Sequence, residues 1–167
     1  MVKRLYPTQP VVGVGAIILR KGEILLEQRG NEPALGQWTI PGGVVEVGES
    51  LENAVRRETK EETGLDVKET SLVDVVDQVH LDKQGRIEYH YVIIDYVVTV
   101  KPGEPKPASD AKDLKWVPIG EVEGYDLTPS FRRFFVKNKQ GLQNLLIRKR
   151  LSAQEKANKK HSYNCRA

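Results

Sequence analysis

Val12, Val14, Ala16 and Ile18 alternate with Val11, Gly13, Gly15 and Ile17. This pattern predicts a strand, with glycines where another backbone comes close. Lys21-Gly22 is a turn, and Glu23 to Gln28 pairs back as the second arm of a hairpin. A loop from Gly30 to Gly36, broken by Pro33 and Gly36, leads to a short strand, Trp38-Thr39-Ile40, which Pro41-Gly42-Gly43 ends. A helix is expected from about Leu51 to Thr63, with Ser50 as N-cap and Gly64 as the left-handed C′ residue. Two strand-rich segments follow, Asp66–Val79 and Glu88–Val100, joined by a turn at Asp82-Lys83-Gln84-Gly85. After a proline-rich loop from Lys101 to Ser109, Leu114–Val117 is a short strand. Thr128 precedes a helix running from Pro129 to about Lys139, and Leu142, Leu145, Leu146 and Leu151 mark a second amphipathic helix after Gly141. Ser152–Ala167 has few apolar residues and is expected to fray. The order of strands, one helix, strands and then helices predicts an α+β chain with a mixed sheet between helices.

The helical pattern breaks at one informative place. Leu51, Ala54 and Val55 form an apolar stripe, and one turn further on the same face holds Glu58, Glu61 and Glu62. Carboxylates at i, i+3 and i+4 repel one another by ~0.2–0.5 kcal/mol per pair on an exposed helix, and by more when desolvated. Two readings stand at this point. The bland one is a solvated acidic helix end, since glutamate is a good helix former. The functional one is a site for a hard divalent cation, which binds oxygen ligands and reverses the sign of that cost. Arg57 is placed to reach Glu61 at i+4 and hold it. Gly42-Gly43 lets the preceding loop approach the helix closely enough for a backbone carbonyl to join the ligands.

Composition narrows the classes. The chain has 167 residues, 39% hydrophobic and 29% charged, as expected of one soluble domain. No apolar run approaches the ~18–20 residues that cross a bilayer, and the start of the chain does not read as a signal peptide. Cys165 is the single cysteine, which fits a reducing cytoplasm. Charge is divided unevenly. Met1–Tyr125 carries 15 Lys/Arg against 21 Asp/Glu, a net of −6, and Asp126–Ala167 carries 11 against 2, a net of +9. A basic tail suits an anionic surface or nucleic acid, but the plainer expectation is a solvated helix face.

The stretch from Gly43 to Leu65, GVVEVGESLENAVRRETKEETGL, resembles the signature of the Nudix family. That signature is Gly, five residues, Glu, seven residues, Arg-Glu, an aliphatic, any residue, Glu-Glu, any residue, Gly and an aliphatic. Every charged and glycine position matches, and Thr59 stands where an aliphatic residue is usual. A looser resemblance covers about Val11 to Lys137. It implies a Nudix-type α/β/α sandwich over 1–141, with 142–167 as a C-terminal basic helix and tail. It also implies Mg²⁺-dependent attack by water on phosphorus in a nucleoside-diphosphate-linked substrate, with Mn²⁺ able to substitute. Glu58, Glu61 and Glu62 would hold metal with the Gly43 backbone, Glu49 would bind metal or anchor the loop, and Arg57 would orient the glutamates. The general base in such enzymes is either the first glutamate of the Arg-Glu pair, here Glu58, or an acid on a later loop, here Glu104, Asp110 or Asp113.

Substrate contacts are expected at Arg29, at the end of the second strand, and at Tyr89 and Tyr91, which share a strand face that His90 does not. Trp38 is expected in the core, and His80 at a strand end without a catalytic task. The segments around Trp38, Tyr89–Tyr96 and Lys115–Pro118 are similar to the ADP-ribose pyrophosphatase group, which implies AMP and ribose 5-phosphate as products. Two alternatives are a MutT-like nucleoside triphosphate pyrophosphohydrolase, and a non-catalytic nucleotide sensor whose basic tail touches nucleic acid. The last is disfavoured because such modules commonly lose a glutamate that is present here. A homodimer built on the C-terminal helices fits the resemblance.

Overall fold

The computed structural model describes residues 3–32 and 34–164, with side chains through 147. The expectations for Pro33, Leu151, Cys165 and the basic side chains of the tail lie outside the described residues. Val11–Arg20 (β1) is the strand on which the molecule is assembled. Its C-terminal end forms a hairpin with Glu23–Arg29 (β2). Its middle pairs antiparallel with Gly42–Val44 (β4), and most of its length runs parallel to Ile87–Val100 (β6). β6 pairs antiparallel with the long edge strand Val67–Leu81 (β5). β2 is flanked by Trp38–Thr39 (β3) and by Ala111–Pro118 (β7).

Both faces of this mixed sheet are covered, so the apolar residues of β1 divide by parity. Val14, Ala16 and Ile18 face the helix Leu51–Thr63 (α1) and pack with Ala54, Val55, Ile94 and Val98. Ile17 faces the other way, into a core with Val97, Phe131, Phe134, Phe135 and Leu142 from the helix Pro129–Asn164 (α2). The result is the expected α/β/α sandwich.

α1 begins and ends as its sequence predicts. The Ser50 hydroxyl accepts from the Asn53 N–H at 3.3 Å, and Gly64 takes φ 72° while donating its N–H to Lys60 O. Thr59, the one departure from the signature, is fully buried; its hydroxyl donates to Val55 O at 2.6 Å, which satisfies it and leaves the methyl to pack.

Three expectations are corrected. Gly42-Gly43 does not merely end β3; it opens β4, lying against Gly13–Gly15 of β1, where both strands are glycine-rich. β7 starts at Ala111 rather than Leu114, because it pairs along the whole of β2 as far as Arg29. The helix break at Gly141 is absent. A glycine inside a helix costs about 1 kcal/mol relative to alanine, and Leu142, 1% exposed in the core, offsets this by burying a full side chain.

Candidate active site

The face of β6 turned toward α2 carries Tyr89, Tyr91, Ile93 and Asp95 in alternate positions, with Val76 and Gln78 of β5 beside them. On β1 the same face carries Gly13 and Gly15, partners of Ile93 and Asp95 in register, before Ile17 enters the core. Side chains are missing where the sheet would otherwise be filled, and α2 begins only at Pro129. A cleft of about 870 Å³ is left between them. α1 lies on the opposite face of the sheet, yet Glu58, Glu61 and Glu62 reach the cleft at its mouth, beside Gly42 and Gly43.

The glycines make that passage. The Gly42 N–H donates to Glu62 Oε2 at 2.7 Å. A Cβ on Gly43 would stand 2.5 Å from Glu58 Oε2, so the Glu58 carboxyl occupies the space a side chain would take. Arg57 is the hub of the cluster. Its Nε and Nη2 donate to the two oxygens of Glu49 at 3.0 and 2.9 Å, and its Nη1 donates to Glu58 at 2.7 Å and Glu61 at 3.2 Å. A further bond from Nη2 to Val44 O, 3.1 Å, ties α1 to the end of β4. Glu49 lies behind Arg57 and outside the cleft lining, where the guanidinium lowers its carboxyl below the ordinary range. In this arrangement Glu49 anchors the arginine.

One member of the cluster was not foreseen. Glu27, on β2, is 2% exposed and hydrogen-bonds through one carboxyl oxygen to Glu62, while its Oε2 has no partner. Burial raises both carboxyls; the bond to Glu62 and the charge of Arg29 pull Glu27 back down, whereas the charge of Glu27 pushes Glu62 further up. Burial also raises Glu58. The signal for Glu27 was available: in Ile24-Leu25-Leu26-Glu27 it falls on the inward parity of Leu25. Asp95 breaks the apolar run of β6 in the same way.

Of the three loop acids, only Asp110 lines the cleft. Glu104 is exposed and paired with Arg20 at 2.9 Å, and the Asp113 carboxyl accepts from the Leu114 N–H at 2.8 Å. Arg29 lines the cleft near Glu27. Tyr89 and Tyr91 stand along the cleft with rings 6.3 Å apart and nearly parallel. Trp38 packs edge-on against Tyr125 beside the core, and His80, at the end of β5, sits at the rim near Glu88.

Among the described residues no three acids, histidines or cysteines already converge on a single point, because Arg57 stands between Glu58 and Glu61. The donor chemistry nevertheless suits a hard cation. Four carboxylates, those of Glu27, Glu58, Glu61 and Glu62, gather beside glycine backbone, and Glu27 keeps an orphaned buried oxygen. Among the described residues no helix is long and apolar enough to cross a membrane.

Comparison with known proteins agrees with this geometry. A family model described as the NUDIX domain matches residues 9–137. An ADP-ribose pyrophosphatase from Methanocaldococcus jannaschii is 40% identical over 119 residues, covering 71% of this chain and 68% of that protein. The nucleoside triphosphatase NudI of Escherichia coli is 33% identical over 126 residues, covering 71% of this chain and 84% of that protein. Among solved structures, a MutT NUDIX hydrolase from Burkholderia pseudomallei superposes with a TM-score of 0.62 at 37% identity, over 74% of this chain and 94% of that one.

Proposed function

This chain belongs to the Nudix hydrolase family, and from that premise we propose that it hydrolyses ADP-ribose to AMP and ribose 5-phosphate with Mg²⁺ as its cofactor. The observation that carries the reading is the joining of two features in one cleft: the Glu58, Glu61 and Glu62 cluster, and the parallel rings of Tyr89 and Tyr91. A volume of about 870 Å³ lies toward the upper end of ordinary ligand sites, which run ~300–1,000 Å³. The 40% identical relative named for this activity supports the choice.

Nudix hydrolases generally need divalent metal ions. Glu58, Glu61, Glu62 and the Gly43 carbonyl would hold Mg²⁺, with Mn²⁺ able to replace it. When bound, such a cation neutralises charge on the phosphates and lowers the pKa of water. Arg57 fixes the directions of Glu58 and Glu61, so both carboxylates are set before substrate arrives. Arg29 and the two tyrosines bind the remainder of the substrate. Water attacks one phosphorus, the bond to the bridging oxygen breaks, and Glu58 takes the water proton. Asp110, the one loop acid in the cleft, is the second candidate for that proton.

The second reading, a nucleoside triphosphate pyrophosphohydrolase, is supported by the likeness to the nucleoside triphosphatase. Product analysis separates the two. AMP and ribose 5-phosphate from ADP-ribose, at a kcat/KM well above that for any nucleoside triphosphate, is the expected result. Efficient release of pyrophosphate from a triphosphate, with ADP-ribose untouched, would overturn the first reading in favour of the second.

A further inference from the structure

Asp95 lies in the middle of β6, between Gly15 of β1 and Asp74 of β5 in register. It is 4% exposed, it lines the cleft, and among the described residues it makes no hydrogen bond or ion pair. Its carboxyl leans over Gly15, where an added Cβ would come within 3.0 Å of Oδ1. The surrounding lining is apolar on one side, from Ile40, Val76, Ile93 and Phe131, while on the other stands Asp74, whose carboxyl is already taken up by Lys137 and Asn138 of α2. A nearly buried carboxyl that no protein donor meets is costly, and an apolar side chain of that size would remove the cost without loss of packing. The group is explained by a donor that arrives from outside.

The chemistry of that donor follows from the walls. A phosphate has nothing to offer a carboxyl in an apolar pocket. A flat heterocycle does: its faces suit the isoleucines and the tyrosine ladder on the same strand face, and an N–H on its edge suits the acid. We propose that Asp95 is a specificity-determining residue, its carboxyl accepting a hydrogen bond from the exocyclic amino group of a purine seated in the inner cleft. This assignment rests on the nucleotide-hydrolase reading above. Burial, with the charge of Asp74 adding to it, raises the Asp95 carboxyl to about 7; above that pH the group only accepts, which suits an amino group and opposes a carbonyl oxygen in its place.

The test uses substrate pairs that differ only at that edge, ADP-ribose against its inosine analogue and ATP against ITP, on the full chain. The wild type should favour the amino member by roughly 10- to 100-fold in kcat/KM, the scale on which a site loses a buried hydrogen bond. In Asp95→Leu that ratio should fall to within about 3-fold, through a higher KM for the amino member. Asp95→Asn retains a carbonyl acceptor and should keep most of the discrimination. The Leu variant should melt at or above the wild-type temperature, whereas a structural role would lower its Tm and depress both substrates alike. Overturning results are an unchanged ratio in the Leu variant, a wild type indifferent to the amino group, or a change confined to ribose against 2′-deoxyribose. If ADP-ribose is inert and ATP is cleaved, the ADP-ribose reading fails and the ATP/ITP ratio still decides Asp95. A wild type that cleaves neither pair removes both.

Discussion

Replacing Gly43 by alanine tests whether the Glu58 carboxyl must occupy the space beside that glycine. The φ of Gly43 is not in the left-handed region, so the backbone accepts alanine and the whole effect comes from one methyl group. That methyl would stand 2.5 Å from Glu58 Oε2, whereas ordinary contact begins near 3.4 Å. The carboxyl must therefore retreat by about 1 Å, and its 2.7 Å bond with Arg57 must lengthen or turn. A misplacement of about 1 Å at reacting groups costs on the order of 100-fold in rate, or about 2.7 kcal/mol of transition-state stabilisation. We expect kcat to fall by about that factor at saturating Mg²⁺, while loss of the charge-assisted bond lowers stability by no more than about 2 kcal/mol. Product release by the purified variant and its thermal unfolding measure the two effects. Gly120→Ala is the control, since nothing lies within 4 Å of its added Cβ, and it should leave both unchanged. Near-wild-type turnover in a folded Gly43→Ala would refute the idea that catalysis depends on where Glu58 sits.

Glu61→Gln should lower turnover at least ~100-fold with little change in Tm, and EDTA should abolish activity until Mg²⁺ or Mn²⁺ is returned; a variant as fast as wild type at saturating Mg²⁺ would exclude the metal role of Glu61. Stability should depend on pH through Asp95, whose carboxyl burial raises to about 7 in the folded state, well above the ordinary range of an aspartate. The folded state then holds the proton more tightly than the unfolded state, so this contribution is complete below about pH 4 and is lost as pH rises toward 7. Denaturant titrations of wild type and Asp95→Asn should diverge across that window by up to about 4 kcal/mol, and parallel curves would count against it. Gly141→Ala should raise stability by about 0.5–1 kcal/mol, because an exposed glycine in mid-helix gives way to the best helix former with nothing in its path. A lower Tm would mean that the helix does not run straight through that position.

The parts of the site legible in sequence were those encoded over short range. Ser50, Gly64 and the spacing of Glu58, Glu61 and Glu62 act within a few turns of one helix, so their geometry follows from its period. Arg57 reaching Glu61 is of the same kind. The pairing of Glu27 with Glu62 depends on β2 and α1 meeting across a gap opened by Gly42, and no local signal carries that. The solitary acid in the apolar run of β6 was visible as an anomaly, but its surroundings are set by α2 and β1. Continuity of α2 through Gly141 was hidden because a glycine's local preference is outweighed by Leu142 entering a core that includes Ile17 and Ile24, more than a hundred residues earlier. The loop acids looked equivalent until Arg20 claimed Glu104 and a backbone N–H claimed Asp113.

The depth of the cleft is fixed by two hydrogen atoms where β1 would otherwise carry methyl groups. Appetite for substrate is thus set on a strand that supplies no ligand and no acid. A carbon added at Gly13 would make the floor shallower, and it would also press on the Gly43 carbonyl, 3.2 Å from the new Cβ and fixed by the pairing of β1 with β4. Room for substrate and the backbone group proposed to hold the metal are neighbours across one strand pair, so a change in the first is felt by the second.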